Sequence, residues 1–288
     1  MAWAMPRHST NNPRPFQRIE RGRAMIPLVT LTTDFGTASG YVAEMKGAFF
    51  RRLLAAVQGS AAVTDQCQLI DLAHDLPPHD VTAAAWFVAS SCFGFPRGTL
   101  HVVVIDPGVG TDRPIVWAEI GDQQFLAPDN GLLSLAVARH GLRQARRVTV
   151  PAAAAATFHG RDVFAPTAAN LVAGDDSTLG IPLEDLVSLP WPQPRETPAG
   201  LCGEVIHVDH FGNLITNLPD SLLPRLQAAG QTECGGTTID QVVSTYGEAT
   251  PGSLVALAGS QGFLEIAVVA GRADQRLAAG RGASVRLP

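Results

Sequence analysis

Apolar and polar positions follow two rhythms along the first two thirds of the chain. Ile26 to Thr33 is apolar and β-branched and stops at Asp34-Phe35-Gly36, as a buried strand does when it ends in a turn. From Tyr41 to Val57 the apolar residues Val42, Met45, Phe49, Leu53 and Val57 recur at helical spacing. Gln68 to Leu72 then predicts a short strand, Ala73 to His79 a proline-punctuated loop, and Asp80 to Cys92 a helix capped by Asp80. Leu100 to Ile105 predicts the next strand, which breaks at Asp106-Pro107-Gly108. Ile115 to Ile120 and Gln123 to Ala127 predict a hairpin about Gly121-Asp122, and Asn130-Gly131 precedes the apolar stretch Leu132 to Ala138. Val163 to Val172 predicts a further helix, with Pro166 tolerated in its first turns. Strands alternating with helices predict an α/β domain, its mostly parallel sheet covered by helices.

Ile181 to Thr197 is rich in proline, a composition that makes a stiff, extended linker, and the domain boundary is expected near residue 195. Short runs follow, separated by Gly, Asn and Asp: Gly203 to Val208, Leu214 to Asn217, Thr237 to Val243, Ser253 to Ala258, Phe263 to Val269 and Ala283 to Leu287. Their spacing predicts a smaller antiparallel β-domain of barrel type over 196–288, beside an N-terminal α/β domain over 25–195. Residues 1–24 are polar and arginine-rich without an apolar run, so a disordered extension is expected there rather than a secretory signal.

Composition narrows the choice of partner. A net charge of −5, with 21 Lys and Arg dispersed along the chain, argues against a nucleic-acid binder and for a small molecule. No apolar run approaches the roughly 18 residues of a membrane span, so a cytoplasmic protein without membrane attachment is expected. Cys67, Cys92, Cys202 and Cys234 form no CxxC pair and are expected to be buried free thiols.

Candidate chemistry gathers at the predicted strand ends, where α/β sheets bind ligands. The candidates are Asp34; then Asp71, His74, Asp75, His79 and Asp80; then Asp106, Asp112 and Arg113; then His159, Arg161 and Asp162. Each has a plain alternative. Asp106 can accept N–H bonds within its own Asp-Pro-Gly turn, and Asp34 can form an Asx-turn or cap a helix. His159 can be a hydrogen-bonded structural histidine, although Gly160 permits close approach and Arg161 and Asp162 can pair. The segment from His74 to Asp80 has metal-ligand chemistry, but two prolines spoil a regular face and turn or capping roles are the better explanation. Asp209-His210-Phe211-Gly212-Asn213 reads as a hairpin turn whose Asp and Asn suit an ammonium or an adenine edge.

Taken in order, the motifs resemble a known family. Leu31-Thr32-Thr33-Asp34-Phe35-Gly36, Tyr41 to Gly47, Asp106-Pro107-Gly108-Val109-Gly110-Thr111, Ala127 to Leu133, Phe158-His159-Gly160-Arg161-Asp162, Asp209 to Asn213 and Gly259-Ser260-Gln261-Gly262 are similar to those of the S-adenosyl-L-methionine (SAM) hydroxide adenosyltransferases. These form the hydrolase branch of the superfamily that includes the SAM-dependent fluorinase and chlorinase.

The resemblance implies hydrolysis of SAM to adenosine and L-methionine by attack of water or hydroxide at ribose C5′. No cofactor is implied, since SAM is the substrate. It also implies a three-layer N-terminal domain, a C-terminal barrel, and a homotrimer whose sites lie between the N-domain of one subunit and the C-domain of its neighbour. A catalytic set falls on Asp106, Arg113 and His159. Asp34 falls where the ribose hydroxyls are held, Asn213 at the adenine, and Asp209 and Ser260 at the methionine ammonium and carboxylate. Gln261 stands where the halogenases carry an arginine, and the hairpin from Pro114 to Ala127 is too short for their extra loop. An arginine beside Asp106 makes it a weaker base, so the set is expected to act more by orienting water than by strong proton abstraction. The alternatives are a SAM-dependent halogenase, a metal-dependent hydrolase built on the Asp71 to Asp80 cluster, and a non-catalytic SAM or adenosine-binding module.

Overall fold

The computed structural model describes residues 27–57 and 67–288, so the extension expected over 1–24 lies outside the described residues. The chain divides into two compact units between Leu189 and Pro190, at the proline-rich stretch.

One sheet organises the first unit. Its strands are β1 (Leu28–Thr33), β2 (Gln68–Ala73), β3 (Leu100–Val104), β4 (Ile115–Ile120), β5 (Gln123–Pro128), β6 (Leu142–Val148) and β7 (Leu179–Leu183). They are ordered β2-β1-β3-β5-β4-β6-β7. The first four are parallel; β4 reverses, β6 returns to the common direction and β7 reverses again, so the sheet is mostly parallel.

Four helices cover it: α1 (Tyr41–Ala56), α2 (Val81–Ser91), α3 (Ser134–His140) and α4 (Ala165–Val172). Side-chain alternation along β3 sorts them into layers. Leu100, Val102 and Val104 pack with Met45, Phe49 and Leu53 of α1 and Ala168 of α4. Val103 and the adjoining Ile105 pack with Ala84 and Val88 of α2 and Ala136 of α3. Both faces of β3 are therefore covered, which is why its sequence is an apolar run broken only by His101, itself buried and 2.7 Å from Thr30 Oγ1. Asp80 caps α2 as expected, accepting from the backbone N–H of Ala83 at 2.9 Å.

The order β2-β1-β3 creates the crevice that matters. The chain leaves β1 toward β2 on one side and returns to β3 on the other, with α1 and α2 on opposite faces; loops at such a switch point diverge and leave room for a ligand. Thr33 pairs with Val104, so the loops that begin at Asp34 and Asp106 start from the same rim.

In the second unit β8 (Arg195–Thr197), β9 (Gly200–Val208), β10 (Leu214–Pro219), β11 (Thr232–Cys234), β12 (Thr237–Ile239), β13 (Leu254–Ala258), β14 (Phe263–Val268) and β15 (Ser284–Leu287) form an antiparallel sheet. The order β12-β11-β15-β9-β10-β14-β13 curls into a nearly closed barrel, with β8 paired to β9 off the path. A bridge between Val242 and Ala256 of β13 joins the two open edges. The strand expected over Thr237 to Val243 stops at Ile239 for that reason: the chain leaves one edge to reach the other. Val205, Leu214, Ile239, Leu264, Ile266 and Val285 fill the interior. Cys67, Cys92 and Cys234 are buried free thiols as expected, whereas Cys202 is half-buried. Among the described residues no helix is long and apolar enough to cross a membrane.

Candidate active site

Asp106, two residues beyond β3, is aimed by backbone geometry. Asn130 donates its side-chain amide to the Ile105 carbonyl at 3.0 Å and accepts from the Leu132 N–H at 3.2 Å, tying the loop after β5 to the end of β3. The turn itself is closed by main chain, Val109 N–H to Asp106 C=O at 3.2 Å. The Asp106 side chain is therefore not spent on its own turn, the alternative left open above.

It goes to Arg113 instead. The guanidinium grips both carboxylate oxygens, Nε donating to Oδ1 at 2.7 Å and Nη2 to Oδ2. Nη2 also lies 3.0 Å from His159 Nδ1. The three expected residues thus form one contiguous chain, Asp106–Arg113–His159. All are withdrawn from solvent: the Asp106 and Arg113 side chains are 5% and 10% exposed, and His159 is 6% exposed. Arg113 Nη1 is also buried and finds no hydrogen-bond partner among the described residues.

The chemistry of these atoms fixes their states. A guanidinium only donates, so His159 Nδ1 must accept and the ring proton resides on Nε2. Burial, then the Arg113 charge, lowers the His159 pKa below the ordinary 6.5, against the opposing pull of Asp106 and Asp162. The site therefore offers a neutral imidazole with an Nε2–H donor, an unspent Arg113 N–H, and a carboxylate.

Two local features make this possible. Gly110 has φ +78°, and a Cβ there would stand 2.4 Å from the Ala156 carbonyl oxygen, so only glycine lets the loop after β3 approach the chain leading to His159. Beyond His159, Gly160–Phe164 forms a π-helical turn that runs into α4. Pro166 in the first turn of α4 has no N–H to donate, which accounts for the shift in ladder register; such turns often accompany functional sites. The helix expected over Val163 to Val172 therefore begins as this wider turn. Arg161 and Asp162 do pair, at 2.7 Å, and Arg161 also donates to Glu44 of α1 at 2.9 Å. Their role is to anchor the turn, since Asp162 in addition accepts from the Ala155 N–H at 2.9 Å.

Asp34 stands on the same rim but caps neither its own turn nor α1, whose N-cap is Gly40. Its Oδ2 accepts from the backbone N–H of His79 at 2.8 Å. The Ala73 to His79 loop holds this stretch at two further points: Thr33 Oγ1 lies 2.9 Å from His74 Nδ1, and the Gly36 N–H donates to the His74 carbonyl at 2.8 Å. Asp71 pairs with Lys46 at 2.5 Å and lies 3.0 Å from His74 Nε2. Together with the Asp80 cap, these contacts give the Asp71 to Asp80 cluster a structural role. Among the described residues no group of three or more His, Cys, Asp or Glu side chains is placed to hold a metal ion.

Asp209, Asn213 and Ser260 come together in the second unit, lining a cavity of about 720 Å³ with Phe211, Tyr246 and Glu265. Asp209 accepts from the Asn213 backbone N–H at 2.8 Å and from its side-chain amide at 2.9 Å. Gly212, with φ +84°, sits where a Cβ would meet an Asp274 carboxylate oxygen at 2.5 Å, so the hairpin turn needs its glycine. Ser260 and Gln261 are exposed, on the turn between β13 and β14. A larger cavity of about 1070 Å³ in the first unit, beside α3 and β6, holds none of these residues.

Sequence reasoning missed Asn130 as the tether behind Asp106, and Glu265. The signal for Glu265 was present: it is the one charged residue in Phe263–Val268.

Comparison with known proteins gives the family. Residues 29–179 match the SAM hydroxide adenosyltransferase N-terminal domain and residues 203–286 the C-terminal domain of that family. The chain belongs to the SAM hydroxide adenosyltransferase family. It is 36% identical over 92% of its length to a protein of Salinispora tropica named (R)-S-adenosyl-L-methionine hydrolase, 98% of which is covered. A Thermus thermophilus protein of the same name is 38% identical, with 90% of this chain and 98% of the relative covered. A fluorinase of an Actinoplanes species is 28% identical over 84% of this chain and 90% of its own. Among solved structures, an uncharacterized conserved protein of Thermotoga maritima superposes with a TM-score of 0.78 at 32% identity, covering 89% of this chain and 98% of that one.

The tautomer and the lowered pKa make a prediction. In a ¹⁵N-resolved histidine titration, His159 is expected to carry its proton on Nε2 and to titrate below pH 6.5. Because its folded pKa is depressed, the stability it contributes is present above 6.5 and is lost as the pH falls through the folded value. A midpoint at or above 6.5, or a proton on Nδ1, would contradict the arrangement.

Proposed function

We propose that this protein hydrolyses SAM to adenosine and L-methionine, using Asp106, Arg113 and His159 to hold the attacking water. The observation that carries the reading is the buried Asp106–Arg113–His159 chain with an Arg113 N–H left unspent. Leaving a buried donor without a partner costs roughly 1–3 kcal/mol, a cost that a bound water or hydroxide offsets. The names of the more similar relatives, hydrolases at 36% and 38% identity against a fluorinase at 28%, support water over halide as nucleophile.

The reaction asks little proton chemistry of the protein. An oxygen lone pair of water forms a bond to C5′ while the C5′–S bond breaks, and its electrons return to sulfur, which departs as the neutral thioether of methionine. No general acid is needed and the step requires no cofactor. The proton released from the attacking oxygen passes to Asp106 or onward to solvent. Attack by hydroxide on a sulfonium annihilates charge, so a water-poor site favours it. Two donors, Arg113 and His159, hold hydroxide-like oxygen, and the carboxylate sets the direction of its remaining proton. Because Arg113 already grips both Asp106 oxygens, orientation contributes more than proton abstraction, and orientation alone can account for several kcal/mol of barrier.

Asp34 is assigned to the ribose hydroxyls, Asn213 to adenine, and Asp209 and Ser260 to the methionine end. Asp34 lies in the first unit and the other three in the second, and we infer a homotrimer.

Chromatography of purified protein incubated with SAM should show adenosine and methionine in equal amounts, resistant to chelator and unchanged in identity by chloride or fluoride. The R designation in the relatives' names makes the R sulfonium epimer the expected substrate. Uncleaved R epimer, or a 5′-halo-5′-deoxyadenosine, would refute the reading. Asp106→Asn is expected to lower kcat at least roughly a hundredfold with little change in affinity; a near-wild-type kcat would remove Asp106 from the set. Light scattering should give three times the 30.3 kDa of one chain.

A further inference from the structure

Glu265 lies in an apolar strand and is not explained by the fold. Alternation along β14 places Leu264, Ile266 and Val268 in the barrel interior and Glu265 on the opposite face, where it lines the cavity that holds Asp209, Asn213 and Ser260. It is only 6% exposed. The Tyr246 hydroxyl donates to Oε1. Among the described residues no group donates to Oε2, and Gly259 leaves space beside it, since a Cβ there would stand 3.0 Å away.

The other charges named in the cavity already hold protein partners. Asp209 holds Asn213 through both oxygens. The Arg272 guanidinium is taken by Asp274, at 3.1 and 2.7 Å, and by the His210 carbonyl at 3.0 Å. Burial, with the Asp209 charge adding to it, raises the Glu265 pKa. A carboxylate buried in this way is costly unless a positive charge meets it.

We infer that Glu265 is a specificity-determining residue: its Oε2, with Tyr246 fixing the carboxylate plane, selects a ligand that brings a cationic group into this cavity over its neutral counterpart. This rests on the SAM reading, in which the ligand carries an ammonium and a sulfonium while its adenosine portion is neutral. Tyr246 becomes a positioning residue acting through Glu265.

Calorimetry on the full chain tests this with two unreactive probes: adenosine, and a SAM analogue in which the sulfonium centre is replaced by a carbon bearing a protonated amine. Glu265→Gln, which keeps an acceptor for Tyr246, is expected to weaken the charged analogue at least tenfold and adenosine less than threefold. Glu265→Met, also neutral and of similar size, should do the same and serves if the Gln variant does not fold. Tyr246→Phe, which retains the carboxylate but releases its plane, should lower the preference for the charged analogue by less than Glu265→Gln does. Equal weakening of both probes in the neutral variants, or weakening of neither, would overturn the inference. Product analysis of the wild type with SAM runs alongside, so that absence of hydrolysis counts against the activity while the ratio of affinities still reads the selection by charge.

Discussion

The first unit's chemistry depends on one buried guanidinium. Arg113 joins Asp106, just beyond β3, to His159, forty-six residues after Arg113 in the chain, and each of its contacts constrains another. By engaging both oxygens it sets the plane of the carboxylate, and by donating to Nδ1 it sets the tautomer of the imidazole. Removing one partner of such a buried pair typically costs about 3–5 kcal/mol, because the remaining charge is left without compensation. The surroundings are built to prevent that: Asn130 ties down the Ile105 carbonyl, Gly110 admits the Ala156 backbone, and a π-turn seats the residues after His159.

The same constraint limits the chemistry. A carboxylate with both oxygens engaged by one arginine is held in a fixed plane, and an imidazole held by that arginine is not free to take a proton at Nδ1. What remains is a place where an oxygen with negative character is welcome and its orientation is fixed. That suits a substrate whose leaving group already carries a positive charge and asks for no proton.

Much of the architecture can be read from the pattern of residues, because β1 and β3, which flank the crevice, are buried on both faces and write that burial into mostly apolar and β-branched runs. β6 escapes such a reading: Leu142–Val148 contains three arginines and a glutamine, and only Ala145 and Val148 are buried. β8 and β11 are three residues long, too short for any alternation to show. The site was readable as residue types at strand ends, with Asp106, Arg113 and His159 brought forward by the family resemblance. That Asp106 and His159 meet through Arg113 depends on Gly110 and the π-turn, which act through tertiary approach and not through spacing. Asp34 likewise takes the His79 N–H from a neighbouring loop, a partner no local rule supplies. Glu265 could have been noticed as a lone acid in an apolar strand, but its significance comes from Tyr246 and Gly259, which sequence does not place beside it.

The central claim is that solvent oxygen, held by the Arg113-bridged set, attacks C5′ of SAM. Reaction in H₂¹⁸O followed by mass spectrometry of the products tests it most directly. The account predicts one ¹⁸O in the 5′-hydroxyl of adenosine and none in methionine. Label in the amino-acid product, or 5′-methylthioadenosine in place of adenosine, would place the attack at a different carbon and contradict the account.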